Sequence, residues 1–282
     1  MLHNLGHIVS FTKETFVPMS PDELDSTILN KLLERLATLT PIKDPYNEIV
    51  LLLAECSETM ARLLVSLAGT FEGYALGEHI QMVSATFEES FVGATIGAKD
   101  QSLLLLMRLW VIFHDMGKPE CYLATESVKD QSVYNVRFVQ HVLVPALQRT
   151  TLPVSGDILS ALIAMCTDSL LGKVVKYYTR PKTRGTPSSM TLPMALAEVP
   201  KIIDAFPIRF RHSLGHIILA SYLPDVRSYT THVSYITSGG IEVPRAPGAL
   251  DYVFAGPSLQ LHIPEAQEAL DALIQEVNRL TQ

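Results

Sequence analysis

Apolar residues recur at helical spacing along most of the chain. Leu24, Ile28, Leu32, Leu33 and Leu36 form one stripe behind Ser20-Pro21-Asp22-Glu23, where a capping residue precedes proline and a glutamate follows three positions after the cap. This predicts an amphipathic helix starting at Ser20. A second helix is predicted from Asp44-Pro45 through "NEIVLLLAECSETMARLLVSLAG". A third covers about 76–92, with His79, Val83 and Phe87 on one face. The fourth, "DQSLLLLMRLWVIFHD", is apolar nearly all round, which marks a central buried helix.

A polar stretch follows from Glu120 to Asn135, then "VRFVQHVLVPALQRT". Pro145 cannot donate to the carbonyl of His141, so a regular helix is expected to start no earlier than about His141. "SGDILSALIAMCTDSLLG" predicts a helix capped by Ser155, and Lys176 to Ser189 reads as a loop. Helices resume over about 192–206 and 208–223. Near residue 230 the texture changes. Short β-branched and aromatic runs alternate with Gly and Pro, and Ser238-Gly239-Gly240 fits a hairpin turn. Pro264 then opens a terminal helix. The expected fold class is mainly α: a helical bundle over 1–229, with short β strands and a helix over 230–282 packed on the same domain.

Composition narrows this picture. The 282 residues are 48% hydrophobic and 18% charged, in the range of a globular protein with a sizeable core. Mean hydropathy is +0.22, but the runs "IVLLLA" and "LLLLM" fall far short of the ~20 residues of a membrane span. The first residues lack a basic leader followed by an apolar block. Cys56, Cys121 and Cys166 are scattered and form neither a disulfide framework nor a zinc knuckle. A reducing, cytoplasmic setting without a membrane partner is the expectation. A net charge of −7 argues against nucleic acid as a partner. The apolar composition and terminal helix would suit a homodimer.

The candidate chemistry lies where the apolar helix runs into "FHDMGKPECY". His114 and Asp115 supply a neutral nitrogen and an anionic oxygen, a pair suited to a divalent ion such as Mn, Fe, Zn, Ni or Mg. Two ligands do not make a site. Further candidates are His79 on the preceding helix, His141 after the polar excursion, Asp168, and Asp225 at the end of "GHIILASYLPD". The competing account makes His114 and His79 core histidines, and the aspartates helix caps. Lys118 follows the doublet closely enough to meet a substrate phosphate or the leaving group. Lys176, Arg180, Lys182 and Arg184 form a basic cluster that suits either a solvated loop or a lid over a phosphorylated substrate. His212 and His216, one turn apart beside Arg209 and Arg211, suit a polar helix face or phosphate contact more than a metal pair.

"EHIQMV", "FHDMGKP" and "RFVQHV", with aspartates further on, together resemble the HD superfamily of metal-dependent phosphohydrolases. The likeness is greatest to the HD segment of poly(A) polymerase and tRNA nucleotidyltransferase relatives, without a nucleotidyltransferase head. It spans roughly residues 75–230. The resemblance implies metal ligation by His79, His114, Asp115 and a late aspartate, either Asp225 or Asp168. A second ion would use His141 and Asp168, with Asp115 bridging. It also implies hydrolysis of a phosphomonoester or phosphodiester, with a nucleotide or related phosphorylated small molecule as substrate. A bound metal would acidify water, and Asp115 and Lys118 would serve the reaction. Two departures stand out: no histidine occupies position 168, and Pro145 follows His141. They count against the second ion; the missing histidine and the extra β segment favour an alternative, a degenerate HD-fold module that senses a nucleotide or binds a protein. A di-iron HD oxygenase is a third reading and needs both ions.

Overall fold

The structure is a computed structural model that describes residues 18–66, 75–92, 100–167, 169–179, 184–187, 189–232, 235–238, 241–244, 261 and 263–282. The described architecture is mainly helical. Ser20 and Glu23 do form a capping box, but they close only a single 3₁₀ turn, Pro21–Glu23. The helix proper, α1 (Ser26–Leu36), restarts behind Asp25, whose carboxylate accepts from the Thr27 and Ile28 N–H groups. Its buried stripe is Leu29, Leu32, Leu33 and Leu36.

The single helix expected after Asp44 is two. A π-helical turn (Tyr46–Val50) leads into α2 (Leu51–Cys56), and the chain is extended at Ser57 before α3 (Glu58–Leu64). The cause is local: the Ser57 hydroxyl accepts from Met60 N–H and opens a new helix, which makes Ser57 a cap rather than a helix interior residue.

Helices α4 (Leu76–Ser90) and α5 (Gln101–Phe113) follow the predicted pattern. All residues from Leu103 to Phe113 are buried, so α5 is the centre of the core. The polar stretch after it is not an excursion. It folds as α6 (Lys118–Thr125), with Pro119 in the first turn and Glu126 in the left-handed region as its stop, and then α7 (Gln131–Phe138). Pro145 does not delay helix formation either. A π turn, Val139–Leu143, carries the chain from α7 into α8 (Val144–Gln148). The Val144 N–H reaches back five residues to Val139, and the extra residue absorbs the proline's missing donor.

Ser155 caps α9 (Gly156–Met165) as expected; α10 (Leu170–Thr179) extends into the segment expected to be a loop. The 24 residues from Gly156 to Thr179 have the length and apolarity of a membrane-crossing helix, although reading uninterrupted apolar runs found none. Here they are two helices, α9 against α5 and α10 against the terminal helix. The remaining helices are α11 (Leu192–Ala205), α12 (Ile208–Arg211), α13 (Leu214–His232) and α14 (Pro264–Thr281). α14 buries Ala266, Ala269, Leu270, Leu273 and Val277 against α10, α11 and α13.

The expected β-containing C-terminal segment is not supported as part of the fold. The backbone pairs 235–238 with 241–244 antiparallel, but among the described residues this ribbon joins no larger sheet. An isolated two-stranded hairpin is marginally stable at best in water, so the architecture rests on helices.

A buried ion pair fixes how α4 and α5 lie together. Arg108 donates through Nε and Nη2 to the two oxygens of Glu88 at 2.8 and 2.9 Å, and its remaining N–H groups go to the carbonyls of Leu36, Thr38 and Thr40. Glu88 Oε2 also accepts from Ile42 N–H at 3.0 Å. All five guanidinium donors are thus placed, and the chain between α1 and the π turn is bound to α4 and α5. Residue 88 meets 108 while 79 meets 114, so the two helices run antiparallel.

Candidate metal centre

Three helices meet at the site. α4 begins behind Ala75, whose N–H is taken by Glu78 Oε2 at 2.7 Å. Glu78 therefore caps its own helix. His79 follows, buried on the face that carries Val83 and Phe87. α5 ends at Phe113 and His114 is its C-cap. The His114 ring is pinned: Nδ1 lies 3.0 Å from Val111 O, and the Trp110 indole stacks on it at 4.5 Å between centroids. A proton on Nδ1, bonded to that carbonyl, leaves Nε2 as the lone-pair nitrogen facing the cluster. Trp110 is held in turn by its Nε1–H donating to Met165 O at 3.2 Å. Asp225 comes from α13, which packs along α4 and α5. It was expected at a helix end; α13 instead runs on to His232 through Pro224, and Asp225 projects from its interior.

His79 Nε2 lies 3.4 Å from each of His114 Nε2, Asp115 Oδ2 and Asp225 Oδ1. His114 Nε2 lies 3.7 Å from Asp225 Oδ1 and 3.9 Å from Asp115 Oδ2. Charge-assisted hydrogen bonds would be shorter, about 2.7–2.9 Å. Donor atoms placed about 2.1 Å from one tetrahedral ion stand about 3.4 Å apart. The spacing fits shared ligation better than direct pairing. Asp225 Oδ1 is buried and receives no hydrogen bond, a state that costs about 1–3 kcal/mol unless something else satisfies it. His79, His114 and Asp225 thus form a group able to hold a metal ion.

Asp115 adjoins this trio. Its Oδ2 lies 3.3 Å from Lys118 Nζ, and Gln131 Nε2 reaches Oδ1 at 3.5 Å. Burial alone would raise the Asp115 pKa, but the charges of Lys118 and His114 hold it well below the usual carboxylate range. Burial also works against a charged His114. Asp115, followed by Asp225, outweighs it and pushes the imidazole up to about 9. The pocket is electrostatically built for positive charge.

The other expected residues are distributed differently. Lys118 is buried against Asp115. His141 is exposed within the π turn and lines a separate cavity of about 350 Å³ with Met116, Glu120, Arg137 and Phe138. Arg184 is exposed and donates from Nε to Tyr177 O at 2.9 Å; Lys176 lies within α10. His212 and His216 are exposed near the start of α13, roughly 13 Å along the helix axis from Asp225 for the latter. Asp168, Arg180 and Lys182 lie outside the described residues. Burial pushes the Cys166 thiol up to about 12, with Asp115 adding to it, so Cys166 is inert as a nucleophile near neutral pH.

The sequence reading overlooked Trp110, Gln131 and Asn135. Gln131 and Asn135 share a helix face by their spacing of four, but only the fold puts that face over the His-Asp turn. No protein-family model, no curated protein and no solved structure matches the chain.

Proposed function

We propose that the chain is a metal-dependent phosphohydrolase of the HD type, acting on a nucleotide or a related phosphorylated small molecule. The observation that supports it is the convergence of His79, His114 and Asp225, from three helices, at ligand-to-ligand spacing. The reaction class and substrate come from the sequence resemblance, centred on "FHDMGK".

In this reading His79 and His114 present Nε2 to the ion, and Asp225 supplies the charge that neutral imidazoles lack. A divalent ion held by such a set supplies Lewis acidity toward a phosphate oxygen and acidifies water at neutral pH. Asp115 completes the anionic wall and keeps Lys118 beside the centre. The lysine brings a cation to the position where a non-bridging phosphate oxygen would accumulate charge. The Trp110 indole shields one face of His114 from water and fixes the ring.

The test is elemental analysis of the purified chain beside His114→Ala and Asp225→Ala variants, followed by phosphate release from a broad nucleotide panel. About one equivalent of ion, lost in both variants, together with turnover that depends on the ion, is the expected result. Normal metal uptake with no phosphate released from any nucleotide would refute the hydrolase.

The position of His141 favours a second reading. It is exposed and lines a cavity apart from the His79–His114–Asp225 trio, which supports a single-ion centre. A nucleotide-sensing or protein-binding module on the same helical scaffold would fit a single-ion site. It would bind a nucleotide and leave it intact.

A further inference from the structure

The turn that carries His114 and Asp115 is gripped from outside by α7. Gly117 N–H donates to Asn135 Oδ1 at 2.8 Å, with both groups buried. This contact exists because Gly117 has no side chain. A Cβ built there would stand 2.5 Å from Asn135 N and closer still to the Tyr134 carbonyl carbon, a gap no substituent fits. The glycine's φ is −83°, an ordinary value. It is required here for close approach of two backbones, not for a left-handed turn. One helical turn earlier on the same face, Gln131 Nε2 reaches Asp115 Oδ1 at 3.5 Å. Lys118 and His79 stand at the other oxygen, Oδ2, at 3.3 and 3.4 Å. The Asp115 carboxylate is therefore held on both edges, and its Oδ1 edge is supported from α7.

We infer that Asn135 is a positioning residue for the metal centre: its side-chain amide locks the 114–117 turn through the Gly117 N–H, while Gln131 sets the rotation of the Asp115 carboxylate. Asn135 touches none of the ligand atoms named above. It acts through a backbone group two residues beyond Asp115 and three beyond His114. A buried N–H that loses its acceptor must find another, and the turn shifts to supply one. Ligating side chains depend on such supporting contacts, whose loss typically weakens metal binding 10- to 100-fold. This inference rests on the metal reading above.

Cobalt(II) is the probe, because its visible absorption reports ligand geometry as well as occupancy. The full chain is compared with Asn135→Leu, which keeps volume and removes the acceptor, and with Asn135→Asp, which keeps an acceptor oxygen at the same position. The expected result is cobalt affinity reduced about 10- to 100-fold in Asn135→Leu, with an altered spectrum, and largely restored in Asn135→Asp. Gln131→Met provides the same readout from a half-buried position should Asn135→Leu fail to fold; a shifted spectrum with a smaller affinity loss is expected. Wild-type spectra and affinities in whichever of these variants folds would overturn the positioning role while leaving the metal reading intact. A wild-type chain that takes up no cobalt would overturn both.

Discussion

α4 and α5 carry two buried polar clusters, and the two are built on opposite terms. Toward the C-terminal end of α4, Glu88 and Arg108 meet in a two-point ion pair at 2.8 and 2.9 Å, with every guanidinium donor used. At its start, His79, His114 and Asp225 face one another across 3.4–3.7 Å, and one carboxylate oxygen has no hydrogen bond. The first cluster satisfies its own charges. The second has donor atoms that satisfy one another poorly and a cation well. Glu88, Arg108, His79 and His114 are buried and Asp225 is half-buried; what separates a fastener from a binding site is whether the polar atoms already have partners.

The largest effect should come from breaking the fastener. Arg108→Met leaves Glu88 buried and unpaired and should cost about 3–5 kcal/mol. That corresponds to a fall in Tm on the order of 10 °C for a chain of this size. The double variant Arg108→Met, Glu88→Leu should recover much of the loss in thermal denaturation; failure to recover would mean the pair does more than hold α4 to α5. Next comes Asp225→Asn, which should reduce metal affinity by at least about 100-fold, near 2.7 kcal/mol. The metal-free fold should change by no more than about 1 kcal/mol. Equal damage to fold and affinity would erase the distinction between the clusters.

A smaller effect should appear on titration. The His114 pKa is raised to about 9 in the folded chain, against about 6.5 when unfolded. Its stabilising contribution is therefore complete below about pH 6.5 and is lost as pH rises through about 9. Metal-free protein should lose a few degrees of Tm across that window, and His114→Gln should flatten the slope. Asp115, held below the usual range, works in the other direction and withdraws its contribution only in acid. Metal uptake should release a proton from His114 below pH 9, measurable by calorimetry in buffers of different ionisation enthalpy. Smallest of all, His141→Ala should leave metal stoichiometry unchanged. A halved stoichiometry would mean that the π turn belongs to the centre after all.

Much of the frame was legible in the sequence because amphipathic periodicity carries it. α4, α5 and α14 fall where their apolar stripes predict, and α9 starts behind Ser155 as expected but stops at Met165, short of the predicted end. The misreadings have separate causes. Ser57 and Asp25 both act as local caps, and a short polar side chain inside an apolar pattern does not announce which way it will bond. Pro145 breaks an α-helix interior by rule, yet here it sits in the first turn of α8, just after a π turn. Pro224 likewise sits inside α13, so Asp225 lies mid-helix rather than at an end. α6 and α7 have too few apolar residues to show a stripe, and they meet through the close Gly117 contact with Tyr134 and Asn135. Of the site, "HD" and His79 were visible as chemistry. Arg108 gave a signal that went unused: a lone charge in "LLLLMRLWVIF" must find a buried partner.

His79 and His114 lie within 35 residues of each other, but Asp225 arrives more than a hundred residues later. An ion shared by these three closes a loop spanning half the polypeptide, and loop-closure entropy grows only slowly with length, by about 0.6 kcal/mol per doubling. The ion would therefore work as a late-set rivet. The newly made chain would have an incomplete ligand set until α13 has been synthesised and docked. Once set, it would tie α13 to α4 and α5 through Asp225. Occupancy of the centre would then report that the two halves of the chain have found each other.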